Sequence, residues 1–234
     1  VKFIVNPKLC QQLGIFSKED LLERNDAILD YFLSKCKIAY YGFNETNSFT
    51  KPLIERRNYI ISSDKYENVK KNYSPKRRRK LRIDEAILPR VSFSDNLEFE
   101  EAKIFMAKHL VGAAKVEDEK DFIEILERFY LNNNLVFYGF YFDNQLINLI
   151  AVYLGERSIV LLGTFNDRKF LKLNGSSIII DKAIETYIEE KPFDFEGSEI
   201  PSVEEFFRGF RPELRPYKVI RNSKLALMQN LLIG

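Results

Sequence analysis

The chain has no tryptophan, one histidine and two cysteines among its 234 residues. Each scarcity excludes a class of chemistry. Cys10 and Cys36 cannot make a multi-bridge disulfide framework and read as reduced thiols of a cytoplasmic protein. With His109 alone, a His-rich metal centre, a Cys/His zinc site and most Ser-His-Asp arrangements are hard to build, and no metal is expected. No apolar run reaches the ~20 residues of a membrane span, and no signal peptide opens the chain. A P-loop, a dinucleotide fingerprint and an EF-hand are all missing. The net charge is only +2, so any site for an anionic partner has to be local. The first residue is Val1, not Met, and further N-terminal sequence is expected to precede it.

What is present points to well-filled cores. Hydrophobic residues make up 45% of the chain, with twenty Phe and twelve Tyr among the aromatics. The length allows one large domain or two small ones. Ser17 with Asp20 three residues on reads as a capped helix start, and the helix runs to about Ser34. Residues 37–43 and 58–62 read as strands, with a polar connection over 44–52. A short helix over 65–72 and a second starting at Ser74-Pro75 follow. Apolar periodicity gives helices over 97–111 and 121–131. Residues 135–142, 146–154 and 158–164, joined by tight turns, make a three-strand antiparallel meander.

The stretch LKLNGSSIIIDKAIE (171–185) decides what comes next. Its three isoleucines could start a buried strand. Instead, Ile180, Ala183, Ile184, Tyr187 and Ile188 recur at helical spacing, with Asp181, Lys182, Glu185, Thr186 and Glu189 opposite. A helix therefore starts near Ser176. It is followed by a strand at PFDFEGS (192–198), a short helix at 201–210 and a last strand at 216–222. A strand–helix–strand passage makes the two strands parallel, which predicts an α/β fold with a mixed central sheet and flanking helices. Residues 17–62 repeat the helix–strand–connection–strand order of 176–221, so the N-terminal part reads as a partial second copy of the same unit.

Three groups of residues can carry chemistry. Lys172, Asn174, Gly175, Ser176 and Ser177 sit where a helix offers unpaired N–H groups and partial positive charge, a ready phosphate site. Equally, Ser176 could cap the helix and bind nothing. Asp194 and Glu196 share one face of a strand and can act as a general base and its support, or else as solvated carboxylates. Lys76, Arg77, Arg78, Arg79, Lys80 and Arg82 form a basic helix, suited to RNA, DNA or an anionic surface, or merely to water. His109 reads as structural.

The element order and the loop together resemble the GNAT acyltransferase superfamily. The family loop reads Gln/Arg-x-x-Gly-x-Gly/Ala; here Lys172, Gly175 and Ser177 stand at the fixed positions, and only Gly175 matches strictly. FDFEGSEIPSVEEFFRGF, PYKVIRN and NYSPKRRRKLR are similar to the FemAB-like branch, in which two GNAT-like domains stand in tandem, joined by a basic helix. Phe206 and Phe207 stand where many acetyltransferases carry a proton-donating tyrosine, and the inserted helical hairpin of the tRNA-dependent ligases is missing.

The resemblance implies a partial N-terminal unit at 1–73, a basic linking helix at 74–88 and a C-terminal acyltransferase domain at 89–234. It implies acyl transfer from acyl-CoA, as co-substrate, to a small or cell-wall-related amine. The donor pyrophosphate would rest on Asn174 to Ser177, and backbone amides at Leu161, Leu162, Gly163 and Thr164 would orient its arm and carbonyl. Glu196 would be the base, Asp194 its support, and Tyr217 a proton donor to the leaving thiolate. The competing expectations are an aminoacyl-tRNA-dependent transferase or RNA-binding protein using the basic helix, and a non-catalytic interaction module.

Overall fold

The computed structural model describes residues 3–110, 116–223 and Leu227. The chain forms two compact units, one of Tyr59–Glu213 and a smaller one of Val1–Asn58 with Leu214–Gly234. These units do not follow the expected segments 1–73, 74–88 and 89–234. Strand pairing is the reason.

In the smaller unit, helix α1 (Leu22–Lys35) is followed by strands β1 (Tyr40–Gly42) and β2 (Ile54–Arg56). The strand expected over 216–222 is here, as β10 (Tyr217–Arg221). It lies between β1 and β2, antiparallel to both. Leu29, Ile38, Tyr41, Phe43 and Ile220 form the core. Ser17 does not cap α1; its hydroxyl donates to the Glu19 carbonyl, and the helix starts at Leu22 without a side-chain cap. Asp20 instead ties the 44–52 connection down, accepting from Asn25, Asn47 and the Ser48 amide.

The larger unit opens with β3 (Tyr59–Ile61), then α2 (Tyr66–Asn72) and α3 (Pro75–Lys80). Helix α3 starts at Pro75, as expected, and Ser74 caps it, accepting from the Arg77 amide at 3.1 Å. Strand β4 (Val91–Ser94), which lacks a sequence signature, precedes helices α4 (Phe99–His109) and α5 (Val116–Leu131). The meander is as expected: β5 (Leu135–Phe142), β6 (Gln145–Leu154) and β7 (Ile159–Asn166). Asp143 and Asn144, both at positive φ, make the tight turn whose twist suits a hairpin.

Helix α6 (Gly175–Tyr187) crosses to β8 (Phe193–Asp194), which pairs parallel with β7. Helix α7 (Pro201–Arg208) closes the unit. The strand order is β4-β5-β6-β7-β8-β3, followed by β9 (Glu213–Leu214), where the chain leaves the unit. The core gathers Phe140, Ile150 and Val152 of the sheet against Ile179, Ile180 and Ile184 of α6. Burying each such side chain contributes about 1.5–3 kcal/mol, which fixes α6 to the sheet along its length. Among the described residues no helix is long and apolar enough to cross a membrane, and no group of His, Cys, Asp and Glu could hold a metal ion.

Candidate functional site

The site lies where the sheet of the larger unit opens. Strands β7 and β8 pair only at Ile159/Phe193 and Val160/Asp194. Beyond Val160, β7 continues to Asn166 without β8 beside it. The chain after β8 bends at Glu196, which adopts a left-handed conformation (φ +54°). Against this unaccompanied part of β7 lies a cavity of about 310 Å³. Thr164 and Asn166 line it from β7, Asn174 to Ser177 from the start of α6, and Lys80 from α3.

The start of α6 is open in the sense a ligand requires. Asn174 is at once the residue after a 3-10 turn (Arg168–Leu173) and the residue before α6, in a left-handed conformation that asparagine tolerates. It makes no side-chain cap to the helix. The Ser177 and Ile178 N–H groups donate to the Asn174 carbonyl, which leaves those of Gly175 and Ser176 to begin the helix beside the cavity with no side-chain cap, where the partial positive charge of a helix start attracts anions.

Polar side chains from the sheet hold this helix start in place. Asn148, buried on β6, donates to Asn166 Oδ1 at 2.6 Å and to Ser176 Oγ at 3.3 Å. Ser176 also donates to Asn166 Oδ1. Gly175 is demanded by this packing: a Cβ there would lie 1.9 Å from Asn148 Oδ1 and 2.9 Å from the Phe140 ring. Asn148 Oδ1 itself is buried without a hydrogen-bond donor among the described residues.

The basic helix takes part through one buried cation. Arg77, only 4% exposed, reaches the same helix start. Its guanidinium donates to Ser177 Oγ and, at 2.6 Å, to the Phe206 carbonyl of α7. It lies 4.2 Å from the ring centroids of both Phe206 and Phe210. Burial lowers its pKa to about 10, so the interior disfavours this charge, and contacts to α6 and α7 hold it there. Arg78, Arg79 and Arg82 are exposed. Lys80 is half-buried, its ammonium held below the usual lysine range by burial and by Arg77 and Lys76.

Asp194 and Glu196 stand together, with the Glu196 amide donating to Asp194 Oδ1 at 2.7 Å. Burial first, and the Asp194 charge second, push the Glu196 carboxyl up to about 8. The sign of the stability effect follows. A carboxyl of ordinary pKa 4.5 raised to about 8 on folding favours the folded state fully below pH 4.5. That contribution is lost as pH rises through about 8. In urea unfolding the parent should have a higher midpoint at pH 5.5 than at pH 8.5, and Glu196→Gln should shrink the difference by roughly half or more. An unchanged difference would remove Glu196 as its source.

The structure brings Thr164, Asn174, Gly175, Ser176, Ser177 and Lys80 to one cavity. Leu161 lies in the core, and Leu162 and Gly163 lie between it and Thr164 on β7. Lys172 is exposed in the 3-10 turn. Asp194 and Glu196 form their own pair and are not among the described residues lining the cavity. Tyr217 is buried in the sheet of the smaller unit. Asn148, Asn166 and Ser202 also line the cavity. Sequence reading missed them because single polar residues in strands and helices carry no motif. Asn148, alone in the apolar run LINLIAVYL, was the available signal.

No protein-family model and no curated protein matches the chain. Solved structures do. A conserved protein of unknown function from Bacteroides thetaiotaomicron VPI-5482 is similar with a TM-score of 0.58 at 9% identity, over 87% of this chain and 68% of that one. FemX is similar with a TM-score of 0.57 at 9% identity, over 91% and 72%. A functionally unknown conserved protein from Staphylococcus epidermidis ATCC 12228 reaches 0.50 at 10% identity, over 80% and 73%. At such identities the likeness is one of architecture, a mixed central sheet flanked by helices.

Proposed function

We propose that this chain is an N-acyltransferase that takes its acyl group from acyl-CoA and delivers it to an amine. The observation that carries the reading is the uncapped start of α6, opening into the cavity beside the part of β7 that β8 leaves unpaired. Phosphate groups suit such a helix start, and Lys80 adds a cation on the cavity wall. The β7 amides at Leu161 to Thr164 lie where a donor arm could add along the strand, as an extended peptide adds to a sheet edge. An N–H there would stabilise the oxyanion formed when the amine attacks the thioester carbonyl. The C–N bond forms, the C–S bond breaks, and the thiolate leaves.

Glu196 is assigned the amine proton, received through water, since the carboxylate is not on the cavity wall. Its pKa of about 8 suits a base working just above neutrality. Asp194 supports it by raising that pKa. Tyr217 is left out of this scheme.

Isothermal titration with CoA and acetyl-CoA tests the donor. Binding in the micromolar range is expected, and no binding of either would end the coenzyme A reading. With an amine acceptor in hand, kcat/KM should rise with pH through about 8, and Glu196→Gln should flatten that rise and lower kcat about 100-fold. A second reading, aminoacyl-tRNA as donor, is favoured by exposed Lys76, Arg78, Arg79 and Arg82. It requires salt-dependent tRNA binding that their neutralisation weakens.

A further inference from the structure

A second and larger cavity, about 490 Å³, lies between α3 and α7. It shares Lys80, Ser202 and Phe206 with the cavity at the start of α6, so the two adjoin along one wall. Its described lining is dominated by cations: Lys76, Arg77 and Lys80 from α3, with Arg208 and Arg211 from the end of α7 and just beyond. One carboxylate, Glu205, stands against them, 3.6 Å from the Lys76 ammonium in an exposed pair that neutralises little.

We propose that this cavity is a site for a phosphomonoester dianion, carried by the nucleotide end of the same donor whose pyrophosphate rests on α6. The proposal rests on the acyl-CoA reading for the identity of the donor, but the pocket has its own argument.

Three observations support it. Arg208 and Arg211 are exposed, and neither forms an ion pair with a described carboxylate. Lys80, on the wall the two cavities share, has its ammonium pushed below the usual lysine range by burial first and then by Arg77 and Lys76, with Glu205 opposing them. Arg211 holds a left-handed backbone (φ +59°), a costly conformation for a non-glycine residue that persists where its surroundings impose it. Guanidinium forks match phosphate oxygens two at a time, and a phosphomonoester carries about two negative charges at neutral pH. The cavity exceeds a phosphate in size, leaving room for the sugar that bears it.

The division of labour within the basic helix also becomes specific. Arg77 is the internal brace; Lys76 and Lys80 face the cavity; Arg78, Arg79 and Arg82 do not line it.

Titration calorimetry with adenosine 3′,5′-bisphosphate and adenosine 5′-monophosphate tests the pocket directly. The bisphosphate should bind at least about tenfold more tightly, and Arg208→Gln/Arg211→Gln should abolish that difference while leaving the monophosphate unchanged. Both arginines are exposed, so thermal unfolding of the double variant should match the parent. Equal affinity for the two nucleotides, or a double variant that keeps the preference, overturns the proposal. CoA and dephospho-CoA separate the two readings. If both bind equally, in parent and double variant alike, the donor stands and the pocket falls. If the bisphosphate preference is present but neither form of CoA binds, the pocket stands and the donor falls.

Discussion

Gly175→Ala should destabilise the fold by about 3 kcal/mol and abolish donor binding, although it adds a single methyl group. The new Cβ would stand 1.9 Å from Asn148 Oδ1 and 2.7 Å from its Cγ, far inside contact distance. Asn148 cannot swing away cheaply. It is 2% exposed and holds Asn166 and Ser176 through its amide group. The Phe140 ring closes the other side at 2.9 Å. Either Asn148 gives up its hydrogen bonds, or the first turn of α6 moves away from the sheet. Both outcomes spoil the cavity.

The companion variant makes the cause testable. Asn148→Ala alone should cost about 1–3 kcal/mol, because it leaves Asn166 and Ser176 short of a partner. In the double variant the clash with Asn148 is gone and only the 2.9 Å approach to the Phe140 ring remains, so the two losses should fall short of additivity by at least about 1 kcal/mol. Urea unfolding of the four proteins measures this. A Gly175→Ala loss below about 0.5 kcal/mol, or strict additivity, would show that the close approach does not constrain the helix.

Arg77→Ala should cost about 3 kcal/mol, comparable to deleting a large core side chain. Three things are lost together: the bond to Ser177 Oγ, the bond to the Phe206 carbonyl, and the stacking on Phe206 and Phe210. A charge that burial disfavours does not stabilise through its charge alone, so volume and contacts should dominate. Arg77→Met, which restores apolar volume, should recover about half of the loss. Arg77→Lys should recover less, because one ammonium cannot serve Ser177 and Phe206 as a planar fork does. If Arg77→Lys proved as stable as the parent, the bracing role of the fork would be lost. Since Ser177 lies in the cavity wall, CoA affinity should fall in Arg77→Ala even at temperatures where the variant is fully folded.

These expectations rest on features of very different legibility. The meander and α6 were readable because periodicity and tight turns are local signals. β5 occupies the expected residues 135–142, and α6 starts one residue before Ser176. β2, β4 and β9 are short, lack alternation and are set by their neighbours, so sequence gave no sign of them. The partner of 216–222 was not readable either. A strand of five residues fits several sheet edges, and only the assembled fold places it between β1 and β2.

At the site, the glycine and serines were legible as the start of a helix, which the structure sets beside a cavity, whereas the role of Arg77 was not legible. Six cations in seven residues look alike in sequence. Only helical phase and the aromatic rings of Phe206 and Phe210 choose which one is buried. Glu196 and Asp194 were legible as a pair, but their separation from the cavity wall depends on a sheet that parts after a single pair of parallel contacts.

The position of β10 has a consequence for synthesis. It supplies the middle strand of a sheet whose other two strands lie within the first 58 residues. Those strands leave the ribosome early, yet β1 and β2 meet no partner until residues 217–221 follow, some 160 residues later in the chain. The intervening unit is continuous in sequence and can complete its core first. Through that interval the N-terminal strands keep open edges, the state in which a chain is most prone to pair with a neighbour. Closing so long a separation is slow, so the small sheet should be the last part of the protein to form on the way to the native state.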